Sequence, residues 1–344
     1  MVMSLAPSAV SETSVNAAKV SVVLAVNNGR LFLQEAIDSI LGQSFRDFEF
    51  LIIDDGSTDG TLQLVQSYED PRIVAIRLSE NVGLVDALNI GVRRAQAPLI
   101  ARMDADDVSH PRRLERQYAF MQSDPGAVLL GTSFTYIDES GNSLAVQRMP
   151  SGEHGLNAKL LETNQFCHPS VIFRRDAFEA VGGYRNVAGR SAQDYDLWLR
   201  LAEVGRVDNL EEPLLMYRVH AQQISIQKLA EQRRAANIYR AFALQRRSGQ
   251  EESMPNAEKG SLLEPKCIAQ DVVDDHLRWA TLFFGAGRLR RAFTHVWAAF
   301  MIQGPTPHFI FHAARSAGQA PRIRRFRSAL IWYLHRLSGA FRRN

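Results

Sequence analysis

Pro98-Leu99-Ile100-Ala101-Arg102-Met103-Asp104-Ala105-Asp106-Asp107 is the stretch on which the reading of this chain turns. An apolar run that stops at clustered carboxylates reads as a buried strand delivering charge to a sheet edge. Like charges packed this closely repel, and burial alone would drive them to protonate. A divalent cation removes both problems. Hard Mg²⁺ or Mn²⁺ prefers oxygen ligands, and such a cation usually brings a phosphorylated substrate with it. Taken alone, the same residues also fit a solvated acidic turn.

The flanking sequence decides between these readings. Residues 20–26 form a strand dense in β-branched side chains. Residues 31–41 carry apolar side chains at helical spacing, and 48–53 is the next strand, ending at Asp54-Asp55-Gly56-Ser57-Thr58-Asp59-Gly60. A helix over 61–68 follows, with Thr58 or Asp59 as its cap. Residues 73–78 make a third strand, Asn81-Val82-Gly83 turns into a helix through Ala95, and 98–103 is the fourth strand. Strands alternating with helices at this spacing mean right-handed βαβ units and a parallel sheet. Ligands in such sheets sit beyond the carboxyl ends of the strands. Asn27-Asn28, Asp54-Asp55 and Asp104 to Asp107 all fall there. Downstream, Pro111 starts a helix. Residues 127–130, 133–137 and 170–173 read as strands, and 153–162 and 176–181 as helices. Residues 192–204 read as a helix whose closely spaced Leu197, Leu199 and Leu201 imply burial on more than one side.

The 344 residues hold one large domain plus an appendage, or two domains. With 46% hydrophobic and 22% charged residues the composition is that of a soluble globular protein. Cys167 and Cys267 are too few for a disulfide framework and match no metal-ligand spacing, so a reducing, cytoplasmic setting is expected. Residues 1–18 are Ser/Ala-rich with no basic residue ahead of an apolar core and are expected to be a flexible tail. No apolar run reaches the length of a membrane span. The net charge of +3 hides an asymmetry. After Asp275 there is no acidic residue, but twelve arginines and no lysine; the remainder holds 28 basic and 37 acidic residues, a balance of −9.

An ordered series of motifs runs through residues 19–225. It comprises the strand ending at Asn27-Asn28, Ile53-Asp54-Asp55-Gly56-Ser57-Thr58-Asp59, and Asn81-Val82-Gly83 through Ala87, Asn89 and Gly91. Asp104-Ala105-Asp106-Asp107, His168-Pro169-Ser170 and Gly182-Gly183-Tyr184-Arg185 follow. Gln193-Asp194-Tyr195-Asp196-Leu197-Trp198-Leu199-Arg200 and Tyr217-Arg218-Val219-His220 close it. With these blocks in this order the chain resembles a family 2 glycosyltransferase, one of the inverting GT-A enzymes that build bacterial polysaccharides.

The resemblance implies an α/β, Rossmann-like, mostly parallel nucleotide-sugar-binding sheet with a C-terminal helical extension. The expected organisation is a tail over 1–18, a catalytic domain over 19–225 and a basic helical region over 226–344. By motif position Asp55 accepts the imide N–H of a uracil or thymine ring. Its alternative job, capping the following helix, suits Asp59 better, and Asp54 is supportive. Asn27 stands where the family usually has an aromatic side chain that stacks on the base; an amide can hydrogen-bond instead. Asn81 belongs to the same donor-binding set. Asp104 reaches the ribose hydroxyls or shares the metal's environment, and Asp106 binds the Mn²⁺ or Mg²⁺ that bridges the two phosphates. Arg102 either helps hold the diphosphate or is a solvated strand-end arginine. Asp194 is the expected base, a role compatible with opening a helix, whereas Asp196 beside Trp198 is expected to be structural. Gln193 stands where the family often has Glu, on the acceptor side. His168 either lines the acceptor side or is structural, and His220 is either a further metal ligand or a loop histidine. Trp198 and Tyr195 are read as core.

From about Ser225 the chain lies outside the resemblance. Leu289, Phe293, Val296, Trp297, Phe300 and Met301 sit at helical spacing, and Phe326, Leu330, Leu334, Leu337 and Phe341 form a second stripe flanked by arginines. Basic amphipathic helices with aromatics suit an anionic membrane surface. Lipid-linked acceptors on the cytoplasmic leaflet make peripheral docking at the inner face of the plasma membrane one expectation. A helix packed on the catalytic domain or on a second subunit is the other. Rival functions are less well matched. A sugar-nucleotide pyrophosphorylase needs extra glycines where Asn27-Asn28-Gly29-Arg30-Leu31 stands, and a dehydrogenase needs Gly-x-Gly-x-x-Gly. A non-catalytic carbohydrate-binding or scaffold protein on the same fold would not need Asp104, Asp106 and Asp194. Nucleic acid is not an expected partner, since the arginine tail lacks lysines and an RNA motif.

Overall fold

A computed structural model describes residues 18–152, 156–189, 191–220, 228–255 and 265–303. Its core is one sheet. Strand β1 (Val20–Val26) pairs in parallel with β2 (Phe48–Asp54) on one side and β4 (Leu99–Met103) on the other, and β2 pairs with β3 (Ile73–Arg77). The connections are α1 (Arg30–Leu41), α2 (Thr61–Gln66) and α3 (Leu84–Arg94). Beyond β4 the pairing is mixed. The two-residue β5 is Val108–Ser109, followed by α4 (Arg113–Ser123), β6 (Ala127–Ile137) and β7 (Ser143–Gln147). Then come α5 (Leu156–Leu160), β8 (Ile172–Arg174), α6 (Arg175–Ala180), α7 (Gln193–Val204) and β9 (Arg206–Arg218). The sheet order is β3-β2-β1-β4-β8-β6-β9-β5, with β7 added to β6. Because β8 is antiparallel to both β4 and β6, the carboxyl ends of β4, β6 and β9 lie on the same rim as those of β1 and β2.

Strand periodicity explains why both faces are covered. Val22, Leu24, Phe50 and Ile52 point to one face, where Leu33, Ile37 and Ile40 of α1 and Leu114 and Met121 of α4 meet them. The alternate residues Val23, Ala25, Leu51 and Ile53 point to the other, against α3 and α7. Gly91 lets α3 sit close: a Cβ there would lie 2.6 Å from Val23 Cγ1 and 2.8 Å from Ile53 Cδ1. Tyr195, Leu197, Trp198, Leu199 and Leu201 of α7 are all buried, as their spacing predicts, and the helix is enclosed on several sides.

Three further helices follow: α8 (Leu229–Arg247), α9 (Pro265–Gly285) and α10 (Leu289–Gln303). Ile238, Tyr239 and Phe242 of α8 join the same core as Trp198, so α8 packs as a continuation of the layer on that face of the sheet. Helices α9 and α10 form a hairpin whose Val273, Leu277, Phe283, Phe284, Val296 and Phe300 close around Val219, with Tyr136 and Tyr217 packed against them. Trp297 and Met301 share that helix but remain exposed. The stripe from Phe326 to Phe341 and residues 1–17 lie outside the described residues.

Strands β5 and β7 were not expected from the sequence, and β6 and β9 differ from its reading. The strands read at 127–130 and 133–137 are one strand, β6, whose register against β9 shifts at Thr132/Ser133. Strand β9 was hidden by Glu211-Glu212-Pro213, which looks like a turn. Pro213 is tolerated because it falls at that register shift, where the ladder is already interrupted.

Candidate active site

The strand ends after β1, β2 and β4 form one side of a cavity of about 960 Å³. Asn27, Asp55, Asn81, Asp104, Asp106, His168, Gln193, Asp194 and His220 all line it. Arg102 does not. Its guanidinium is 1% exposed, beneath the rim, and Nη2 donates to Asp104 Oδ1 at 2.5 Å. Arg102 is therefore neither solvated nor at the cavity surface, and its charge reaches the site through Asp104.

At the β1–β2 end, backbone and side-chain hydrogen bonds knit the loops together. Asn27 Nδ2 donates to the Asp55 carbonyl at 2.6 Å. Asn28 takes a left-handed conformation (φ 53°) that its short polar side chain tolerates, and its Oδ1 accepts the Thr58 N–H at 2.9 Å. Asp55 Oδ1 accepts the Val82 N–H at 2.8 Å and Oδ2 the Gly83 N–H at 2.9 Å. Asp55 thus anchors the turn into α3, a different helix from the one over 61–68 whose cap the sequence reading gave to Thr58 or Asp59. Asp59 has its own contacts: it accepts the Thr61 N–H at 3.0 Å and the Arg30 N–H at 3.1 Å, fixing the first turns of α2 and α1. An ionised carboxylate offers about four acceptor positions, so Asp55 retains capacity for a further donor.

At the centre, Asp104, Asp106 and Asp107 bring carboxylate oxygens within 4.8 Å of one another. Asp106 Oδ2 lies 2.9 Å from His220 Nε2. Asp107 is fully buried; Oδ1 accepts the Arg218 N–H at 2.8 Å, and Oδ2 has no hydrogen-bond partner among the described residues. Burial pushes the Asp104 carboxyl upward against the opposing pull of Arg102. Burial and the charges of Asp106 and Asp104 push Asp107 up further. Beneath this acidic loop lie three buried arginines, Arg102, Arg113 and Arg218. Arg113 Nη1 donates to the Pro169 carbonyl at 2.6 Å; burial lowers its pKa to about 10, which still leaves it charged at neutral pH. Arg218 Nε donates to the Asp106 carbonyl at 2.8 Å, Nη2 bonds Glu35 at 2.7 Å, and the guanidinium sits 4.6 Å over the Phe32 ring.

At the far end, Asp194 is the second residue of α7, entered through Ala192 in the left-handed region (φ 54°). Asp194 Oδ2 accepts Asn164 Nδ2 at 3.0 Å. Burial raises its carboxyl pKa; the Tyr195 N–H and Asn164 oppose the rise, and the charge of Asp104 adds to it. The neighbouring Gln193 Oε1 and Ser191 Oγ are buried without partners among the described residues. His168 Nε2 lies 2.9 Å from the Tyr184 hydroxyl, and burial together with Arg102 holds the imidazole neutral. Asp196, by contrast, is fully buried between Arg185 (2.6 Å) and Arg200 (2.7 Å), a structural ion-pair centre.

Sequence reasoning missed Arg113, Asn164 and Ser191, and it quoted Arg218 without giving it a task. An arginine inside an apolar strand end was the available signal for this buried cationic support. It also missed the opposite wall, where Arg233 and Arg240 of α8 and Asp271 and Trp279 of α9 line the same cavity.

Residues 21–182 match the family model "Glycosyl transferase family 2". The chain is 40% identical over 206 residues to EpsE of Bacillus subtilis, a glycosyltransferase by name, covering 58% of this chain and 73% of that one. It is 36% identical over 233 residues to the O-antigen biosynthesis glycosyltransferase WbnJ of Escherichia coli, covering 66% and 90%. Crystal structures of S. aureus TarS 1–349, including one in complex with UDP-GlcNAc, superpose with a TM-score of 0.53 at 18% identity over 83% of this chain and 92% of that one. At that identity the likeness speaks for the fold, the GT-A arrangement with added C-terminal helices. The relatives, the matched family model and the fold agree: this chain belongs to glycosyl transferase family 2 and is a glycosyltransferase.

Proposed function

We propose that this enzyme transfers a sugar, with inversion and with the help of a divalent metal, from a UDP- or dTDP-linked donor. The acceptor is a hydroxyl of a glycan or lipid-linked carrier in cell-surface polysaccharide synthesis. The observation that carries this reading is that Asp55, Asp104, Asp106 and Asp194, from three separate segments, share one cavity. The names of the relatives support the polysaccharide setting, and the TarS complex with UDP-GlcNAc supports a UDP-linked donor.

In this reading Asp55 accepts the imide N–H of the base, with Asn27 and Asn81 beside it, and Asp104 takes the ribose hydroxyls. The donor set fits a hard cation: three carboxylates gather within 4.8 Å, and one buried oxygen of Asp107 lacks a partner. Asp106 and His220 would hold Mn²⁺ or Mg²⁺, with Asp107 behind them. When bound, the cation supplies Lewis-acid neutralisation of the charge that builds on the departing diphosphate. Arg102, Arg113 and Arg218 keep the acidic loop in shape from below. Asp194 takes the proton of the acceptor hydroxyl as it attacks the anomeric carbon from the face opposite the diphosphate. Its raised pKa strengthens it as a base, while the start of α7 favours the ionised form. Gln193, whose buried Oε1 has no partner among the described residues, and His168 orient the acceptor.

Exposed Trp297, Met301 and Ile302 on α10, ahead of the arginine-rich residues 304–344, support docking to an anionic cytoplasmic membrane surface. No helix among the described residues is long and apolar enough to cross a membrane. Purified protein supplied with a panel of UDP- and dTDP-sugars tests the enzymatic reading. Release of UDP or dTDP that requires Mn²⁺ or Mg²⁺ is expected. Release from no donor under any metal condition would leave the scaffold reading standing. Co-sedimentation with anionic liposomes tests the docking: binding that survives truncation near residue 275 would remove it.

A further inference from the structure

The cavity continues past Asp106 on the side away from β1, β2 and β3. There the carboxyl ends of β6 and β9 carry Tyr136 and Tyr217 onto the rim, and α9 adds Trp279. The three rings form one group, with Tyr136 edge-on to Tyr217 at 5.8 Å and to Trp279 at 5.7 Å. Each is half-buried and contributes surface to the cavity. Trp279 is held in place by stacking on Phe283 and His295, both at 6.3 Å. One turn earlier on α9, Asp275 pairs with Arg233 of α8 at 2.6 Å, which balances those two charges and ties the hairpin to the sheet's core.

The two ends of the cavity therefore differ in chemistry. Carboxylates and amides line the end at β1, β2 and β4, whereas the end at β6, β9 and α9 adds three aromatic rings beside the Arg233–Asp275 pair and Asp271. The sheet order places β4 and its acidic loop between the two. The apolar C–H face of a pyranose stacks on aromatic rings while its hydroxyls reach polar groups at the edge. A volume of about 960 Å³ is at the upper end of the roughly 300–1,000 Å³ found for small-ligand pockets.

We propose that Trp279, with Tyr136 and Tyr217, is the platform for a neutral pyranose of the acceptor, so that the C-terminal helical hairpin completes the active site. The proposal rests on the glycosyl-transfer reading above and adds to it the acceptor subsite and its ligand class.

The test uses the full chain saturated with UDP and Mn²⁺. Saturation-transfer NMR with a panel of methyl pyranosides reads the platform, and calorimetric UDP titration reads the donor side. At least one pyranoside should receive saturation on its ring C–H protons. Trp279→Ala should weaken that binding by about tenfold, the scale of one lost stacking contact, while UDP affinity changes by less than about twofold. Trp279→Phe should restore most of it. Should the alanine variant fail to fold, Tyr136→Leu, on the sheet rather than the hairpin, carries the same expected loss. Binding by no pyranoside, unchanged binding in the folded variants, or an equal fall in UDP affinity would overturn the proposal. Failure of the wild type to bind either UDP or dTDP would instead sink the donor reading beneath it.

Discussion

Replacing Asp194 with Asn separates its proposed catalytic role from its structural one. The substitution preserves shape and keeps an oxygen able to accept the 3.0 Å hydrogen bond from Asn164. It removes the charge and the ability to take a proton. General-base assistance is worth about 10²–10⁴-fold, which at about 1.36 kcal/mol per decade is roughly 3–5 kcal/mol of activation free energy. Stability should move little, and the sign follows from the pKa. Asp194 is raised in the folded state. Its favourable contribution is thus present below the unfolded carboxyl value of about 3.9 and is lost as pH rises through the folded value. At neutral pH the ionised side chain costs stability, so Asp194→Asn should melt at the same temperature as wild type or higher. The wild-type kcat/KM should fall on acidification through a pKa above the ordinary Asp value, and the variant should lose that limb. The assay is transfer from the donor identified in the panel, alongside calorimetric UDP titration. Turnover within about tenfold of wild type, below the range for general-base assistance, would refute the assignment. So would a loss of UDP affinity matching the loss of rate.

Three further variants probe the supports. Asp196→Asn leaves Arg185 and Arg200 facing a neutral group in a buried site; it should cost about 3–5 kcal/mol of stability, read by denaturant titration, while the protein that remains folded keeps its UDP affinity. Gly91→Ala forces a Cβ to within 2.6 Å of Val23 on β1; overpacking of this kind should cost about 1–3 kcal/mol, seen as a lowered Tm. Arg218→Met strips the donors from the carbonyls of Asp106, Asp138 and Glu139; at about 1–3 kcal/mol for the buried Asp138 carbonyl left unsatisfied it should lower Tm and, by loosening the acidic loop, weaken Mn²⁺-supported UDP binding.

The parallel half of the fold was legible because its strands are apolar runs ending in polar rims. Asn27, Asp55, Asp104 and Asp106 were legible for the same reason: a strand's end is visible in one dimension. Whether a residue stands on the rim or beneath it is not, and Arg102 shows the difference, since Met103 and Asp104 look alike from either side. The tie between Arg218 and Asp106 spans 112 positions, a partnership that exists only after β9 closes against β5 and β6. Strand β9 itself was masked by Glu211, Glu212 and Pro213, which fall where its register against β6 shifts, while the residues on either side pair with β6. Trp279 was unreadable as a site residue because its helix lies outside every motif. Only the packing of α9 against Tyr136 and Tyr217 brings it to the cavity.

The central claim is that the acidic loop holds a cation against a diphosphate. Calorimetric titration of UDP into wild type and Asp106→Asn, each with Mn²⁺ and with chelator, tests it most directly. The account predicts that Mn²⁺ tightens UDP binding to the wild type by at least about tenfold, or about 1.4 kcal/mol, and does little for the variant. Equal UDP affinity with and without Mn²⁺ in the wild type, or an undiminished Mn²⁺ effect in Asp106→Asn, would contradict it.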